Sequence, residues 1–319
     1  MGLEETGTGA GSWRVGAGLA TIYLVWGSTY VAIRFAVETL PPFLMAGVRF
    51  TLAGGALYVA LRLRGARAPS RQQWASAFLV GFLMIAVGNG ALTWSELRIP
   101  SGTAALLVAA MPLWMVLLDW LAFGGRRPRP PVAIGILAGF IGVALLLGPA
   151  RIAGGGRPDL AGAIVVMLGS LGWTVGSLWS RTAPTHASPL LGTAALMLVG
   201  GLMLDILGLA TGEAGALAAH APGTRSLVGF VYLIVVGALV GYTTYMWLLR
   251  VVSASLVSTY AYVNPVVAVF LGWLLAGEAL TGRTVLAAAV IVAAVALIIT
   301  YRRPARVPPP VTARVTGTG

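Results

Sequence analysis

Residues 108–125, VAAMPLWMVLLDWLAFGG, and residues 261–278, AYVNPVVAVFLGWLLAGE, are two versions of one apolar segment and its exit. An offset of 153 places Pro112 on Pro265, Trp120 on Trp273 and Gly124 on Gly277. The same ungapped register carries Gly88 onto Gly241 and Trp94 onto Trp247, so it holds across two apolar runs and the loop between them. Slightly shorter offsets match Gly54-Gly55 with Gly200-Gly201 (146), and Trp26 and Arg34 with Trp173 and Arg181 (147). Self-similarity at a fixed spacing marks a chain built of two like units.

The surroundings of these segments identify their solvent. The 319 residues are 58% hydrophobic and 9% charged, with a mean hydropathy of +0.90. Soluble domains carry about 25% charged residues, so most of this surface faces lipid. A spanning helix needs ~20 mostly apolar residues. Windows of that size fall at 16–36, 42–62, 74–95, 100–123, 130–149, 160–180, 189–211, 227–249, 254–276 and 282–300. Backbone polar groups cannot face lipid unpaired, which leaves helices or a closed barrel. Barrel strands would be ~10 residues of alternating polarity, and these runs are longer and uniformly apolar.

The expected fold is therefore an all-α integral membrane protein of ten transmembrane helices arranged as two inverted five-helix repeats. Five is odd, so the second unit must enter the membrane from the opposite side. The expected organisation is a cytoplasmic N-terminal segment 1–15, a first repeat 16–149, a linker 150–159, a second repeat 160–300 and a disordered cytoplasmic tail 301–319. The net charge is +12 and every basic residue is Arg. With the N-terminus inside, 14 Arg fall in inside segments against 6 outside, so the positive-inside bias places both termini in the cytoplasm.

Composition also excludes functions. There is no Cys, hence no disulfide, thiol catalysis or Cys-bound metal. His186 and His220 lie in loops, and no acid pair or metal-ligand cluster appears, so an enzyme is not expected. No Gly-Lys-Ser/Thr loop follows the Gly-rich stretches, so ATP is not a partner. The Arg residues lie between apolar runs, which is topology and not a nucleic-acid groove. No cofactor is expected. The expected partners are the bilayer and a small-molecule substrate, with a homodimer left open.

Several motifs together resemble an EamA-type member of the drug/metabolite transporter superfamily, most of all its YedA-like subgroup. They are Trp26-Gly27-Ser28-Thr29-Tyr30, Pro41-Pro42 before Ala46-Gly47-Val48-Arg49-Phe50, Ala86-Val87-Gly88-Asn89-Gly90, Pro100-Ser101-Gly102, Tyr260-Ala261-Tyr262-Val263-Asn264-Pro265 and Gly277-Glu278. The resemblance covers roughly 18–300. It implies a ten-helix secondary transporter of the bacterial inner membrane that exports amino acids or related metabolites. One departure is plain: many members carry Gly-Glu after the fourth helix too, and here Gly124-Gly125 stands there.

Polar groups inside the bilayer are expensive and mark function. The expected substrate contacts are Asn264, Tyr260, Trp26, Thr29, Asn89, Arg49 and Tyr245, in a cavity lined by the first, third, fourth, sixth, eighth and ninth helices. Asn264 either meets substrate or satisfies the kink at Pro265, which frees the Ala261 carbonyl. Pro112 is expected to kink the fourth helix likewise. Arg49 either grips a substrate carboxylate or pairs with Glu96, Glu38 or a backbone carbonyl. Asp205 and Glu278 are the candidates for proton coupling, with a cap or an Arg283 pair as the alternative for Glu278. A passive channel or a membrane scaffold is the competing reading, although neither a charge ring nor a filter loop is present.

Overall fold

The computed structural model describes residues 12–125, 127–147, 159–180, 188–219, 221–252, 257 and 260–301. Most of segment 1–15, linker 150–159 and tail 301–319 lies outside the described residues, as do His186 and His220. All described regular structure is helical: α1 Ser12–Ala36, α2 Pro42–Leu63, α3 Arg71–Gly81, a π-helix π1 Phe82–Asn89, α4 Gly90–Ser95, α5 Ser101–Val108, α6 Met111–Ala122 and α7 Pro130–Leu147. After the linker come α8 Leu160–Trp179, α9 Pro189–Ala210, the short α10 Glu213–Ala219, α11 Thr224–Tyr232, π2 Leu233–Val240, α12 Gly241–Val251, α13 Tyr260–Ala276 and α14 Gly282–Tyr301. Seven helical stretches are long and apolar enough to cross a membrane; Pro130–Leu146, Val263–Ala276 and Gly282–Ile298 are shorter apolar helices. All ten coincide in place with the ten apolar windows.

Local chemistry sets the helix ends. Pro42 and Pro189 open α2 and α9, where the missing N–H costs nothing. Ser70 and Gln73 close a reciprocal capping box at the start of α3. Four glycines with positive φ follow α2, α6, α9 and α13: Gly65, Gly124, Gly212 and Gly277, at 85°, 71°, 81° and 65°. Only Gly adopts that conformation without strain, and the four fall into two repeat-related pairs, Gly65 with Gly212 and Gly124 with Gly277.

Interruptions of two kinds were not legible in the sequence. The third and eighth apolar runs each change from α to π midway, at Phe82–Asn89 and Leu233–Val240. The fourth run is broken and not merely bent. Its helix stops at Val108, turns at Ala109-Ala110 and restarts with Pro112 in the first turn of α6. A proline in a first turn loses no hydrogen bond, so the strain expected there is relieved by ending the helix. Pro265, by contrast, lies inside continuous α13.

Packing pairs elements of the first half with elements of the second. α2 runs along α9, α7 along α14 and α1 along α13, while α8 packs on π1, α4, α5 and α6. Small residues permit the approach. Gly54 meets the Leu198 and Ala194 backbone, Gly201 meets Thr51, Gly135 and Gly142 seat Ile298 and Ile291, and Gly27 seats Val267.

Candidate functional site

Where π1, π2 and the α5–α6 break converge, they enclose a cavity of about 130 Å³. Its wall takes Trp26, Thr29 and Tyr30 from α1, Arg49 and Phe50 from α2, Gly88 and Asn89 from π1, and Val108 and Met111 from the two sides of the break. Ser170 and Trp173 come from α8, Gly237 and Ala238 from π2, Tyr242 from α12, and Tyr260 and Asn264 from α13. Of the seven expected contacts, six line this space. Tyr245 does not; it stacks behind the wall on Trp26, centroid to centroid 5.0 Å, and on Tyr260, 6.1 Å. The second helix, absent from the expected lining, supplies Arg49.

Each half supplies the counterpart of the other. Trp26 and its repeat mate Trp173 both face the cavity, as do Asn89 with Tyr242 and Met111 with Asn264. The two tryptophans are seated alike. A Cβ added to Gly241 would lie 2.6 Å from the Trp26 indole nitrogen, and one added to Gly88 would lie 3.1 Å from Cε3 of Trp173. Those two glycines are themselves repeat mates. Trp26 also meets Tyr242 and Tyr260 edge-on at 5.6 and 4.9 Å, an arrangement that favours aromatic pairs.

The polar groups are organised around Arg49. This side chain is 5% exposed. Its Nη2 donates to Asn89 Oδ1 at 3.0 Å, and its guanidinium lies 4.4 Å from the Phe50 ring centre. Asn89 in turn donates to the Met84 carbonyl at 3.2 Å, five residues back within π1. The expected acidic partners are engaged elsewhere or lie apart. Glu38 pairs with Arg225 at 3.2 Å. Glu96 is fully buried, its carboxylate oxygens have no hydrogen-bond partner among the described residues, and Arg34 donates to its backbone carbonyl. Asn264, oriented to satisfy its amide, donates to the Tyr23 and Tyr260 carbonyls at 3.2 Å each. Its bond to Tyr23 therefore ties α13 to α1. The Thr29 hydroxyl is spent on the Trp26 carbonyl at 2.7 Å.

Both proton-coupling candidates stand away from the cavity. Asp205 accepts from Thr51 at 2.8 Å where α9 crosses α2. Glu278 accepts from the Ser101 amide at 2.6 Å, its hydroxyl at 2.7 Å and the Gly102 amide at 3.0 Å, capping α5. Arg283, its alternative partner, donates to the Leu145 carbonyl. Among the wall residues outside the expected set, Tyr30, Phe50, Ser170, Trp173 and Tyr242 carry polar or aromatic side chains, and Trp173 and Tyr242 stand at the repeat positions of Trp26 and Asn89.

Comparison with known proteins identifies the family. The model of the EamA-like transporter family matches residues 15–148 and again 160–300. The chain is 39% identical to the inner membrane transporter YedA of Escherichia coli over 88% of its length and 89% of that protein. It is 27% identical to protein PecM of Dickeya dadantii, over 81% and 83% of the two chains. It is 22% identical to the transporter YoaV of Bacillus subtilis, over 87% and 94%. A solved crystal structure superimposes with a TM-score of 0.59 at 23% identity, covering 92% of this chain and 99% of that one, which establishes a shared fold. YedA and YoaV are named as transporters and not as enzymes, and a multi-pass inner membrane protein fits YedA and the apolar helices. On a family model that covers both halves and a relative at 39% identity, this chain belongs to the EamA-like transporter family, on its YedA-like side.

Proposed function

We propose that the chain is a secondary transporter that exports a small amphipathic metabolite, such as an amino acid or a related solute, by alternating access. All ten apolar helices span, five per repeat, with the repeats related by a pseudo-two-fold axis in the membrane plane and both termini in the cytoplasm. The observation that carries this reading is the paired lining of one central cavity: Trp26 with Trp173, Asn89 with Tyr242, Met111 with Asn264. Inverted repeats with a site at their interface provide two states of similar energy, one open to each side. The contacts of α2 with α9 and of α7 with α14 join repeat-related helices, as an axis between the halves requires. The break at Ala109-Ala110, the proline inside α13 and the two π segments sit where bending is needed. Gly faces at the crossings let helices slide without large side chains to unlock. The drive is a solute or ion gradient, since the sequence offers no nucleotide-binding loop.

The natural absence of Cys makes the test direct. Thr29→Cys puts one thiol on the cavity wall, and a membrane-impermeant maleimide is applied to either face of proteoliposomes of known orientation. A carrier is labelled from each face while the reagent itself does not leak through. Labelling from one face alone rejects alternating access, and leakage of the reagent identifies a channel.

A further inference from the structure

Among the described residues, Arg49 is the one ionised side chain on the cavity wall. Its hydrogen-bond partner, Asn89, is neutral. Its Nε is buried with no partner, and no described carboxylate oxygen lies within 4.0 Å of it. Glu96 is within electrostatic reach, but it is shared with Arg34 and sits behind the wall. Glu278 is held by the amides of α5. The cavity thus presents a guanidinium that lacks a counter-ion of its own, and no acid to receive an ammonium group. A guanidinium is a planar fork that matches a carboxylate, and a buried donor without an acceptor is unfavourable until one arrives.

The remaining wall is flat and apolar: Trp26, Trp173, Tyr242, Tyr260 and Phe50. The volume, about 130 Å³, has room for roughly ten water molecules, which suits one ring and a short acidic arm. We propose that the cavity selects an organic monoanion, a carboxylate carried on a flat apolar body, against amines and zwitterions of the same shape. Arg49 holds the carboxylate, Asn89 fixes the Arg49 rotamer from π1, and the aromatic faces cover the body. This inference rests on the cavity being the transport site and narrows its substrate class to the related carboxylates, setting aside the zwitterionic amino acids.

The test uses three probes with one phenylethyl body: 3-phenylpropionate, phenylalanine and 2-phenylethylamine. Each is titrated into the purified full chain in detergent, with tryptophan fluorescence and thermal stabilisation as readouts, and scored for protection of Thr29→Cys against maleimide. The amine lacks the carboxylate that Arg49 bonds, and the zwitterion must bury its ammonium group without an acid to receive it; either difference corresponds to about 10-fold or more in affinity. The expected order places 3-phenylpropionate at least ~10-fold ahead of the other two. Arg49→Gln should erase the preference over the amine. Asn89→Asp, which keeps shape and places a counter-ion beside Arg49, should erase it too and raise amine binding, so the conclusion does not depend on one variant folding. Equal or tighter binding of the amine or the zwitterion overturns the proposal, as does no binding of 3-phenylpropionate. Equal protection of Thr29→Cys by amine and anion overturns the anion preference while leaving the carrier intact; one-sided labelling removes the carrier reading beneath it.

Discussion

Gly54 and Gly55 are neighbours in α2, yet a methyl group should have opposite effects at the two positions. A Cβ on Gly54 would lie 2.5 Å from the Leu198 nitrogen, 2.9 Å from the Ala194 carbonyl oxygen and 2.9 Å from Met197 Cβ, where ordinary contact begins at 3.4 Å. Two of these atoms are backbone of α9, so no rotamer can yield and the helices must part by about 1 Å. A gap of that size forfeits a quarter to a half of each dispersion contact along the crossing, and overpacking of this kind costs about 3 kcal/mol at the upper end of its range. On Gly55 the added carbon would meet only Leu198 Cδ1, at 3.9 Å. Both substitutions share the gain in helix propensity of about 1 kcal/mol, which cancels in the comparison. Gly54→Ala should thus fall about 3 kcal/mol below Gly55→Ala, or roughly 4–5 °C in midpoint for a chain of this length at ~2 cal/mol/K per residue. Thermal unfolding in detergent, followed by tryptophan fluorescence and the surviving monodisperse fraction, measures the difference. A Gly54→Ala midpoint equal to or above that of Gly55→Ala would refute the packing argument.

Three further outcomes are expected. Glu278→Gln keeps the shape of the α5 cap and removes its charge; losing charge-assisted bonds at a helix N-terminus should cost about 2 kcal/mol and lower the midpoint by ~3 °C, and an unchanged midpoint would mean that the carboxylate does not cap α5. Asn264→Ala should reduce transport per folded molecule more than it reduces the yield of folded protein; normal activity per molecule would reject Asn264 as a substrate contact and leave it the tie between α13 and α1. A periplasm-dependent reporter fused after Arg303 should stay silent, and strong activity there would overturn the cytoplasmic placement of the C-terminus.

Much of the fold could be read from the sequence because each lipid-exposed helix must be long and apolar, and each lacks charge for the same reason. Trp26, Asn89, Arg49, Tyr260 and Asn264 stood out as polar or amphipathic groups within apolar runs, and the cavity gathers all five. Tyr245 was taken where Tyr242 belongs. The two lie one turn apart, and periodicity fixes a face but not a depth along it. Nothing in FLMIAVGN or LIVVGALV announces a π-helix, because the wider turn depends on the packing of α8 on π1 and of α1 and α2 on π2. A cap was among the readings of Glu278, but the helix it caps was hidden, since the bond joins residues 177 apart in the chain.

The Glu278 cap has a consequence for balance between states. It fastens the end of α13, in the second repeat, to the start of α5, in the first. At the corresponding place in the first repeat stands Gly125, which has no side chain with which to fasten anything. On the proposed alternating-access reading, one mouth of the molecule carries a clasp that the other lacks. If the clasp contributes about 2 kcal/mol and opens when that mouth opens, the resting ensemble is weighted roughly 30-fold toward the closed clasp. On that same reading, the two halves can share a fold and a cavity and still leave the empty carrier waiting with one chosen face toward its solute.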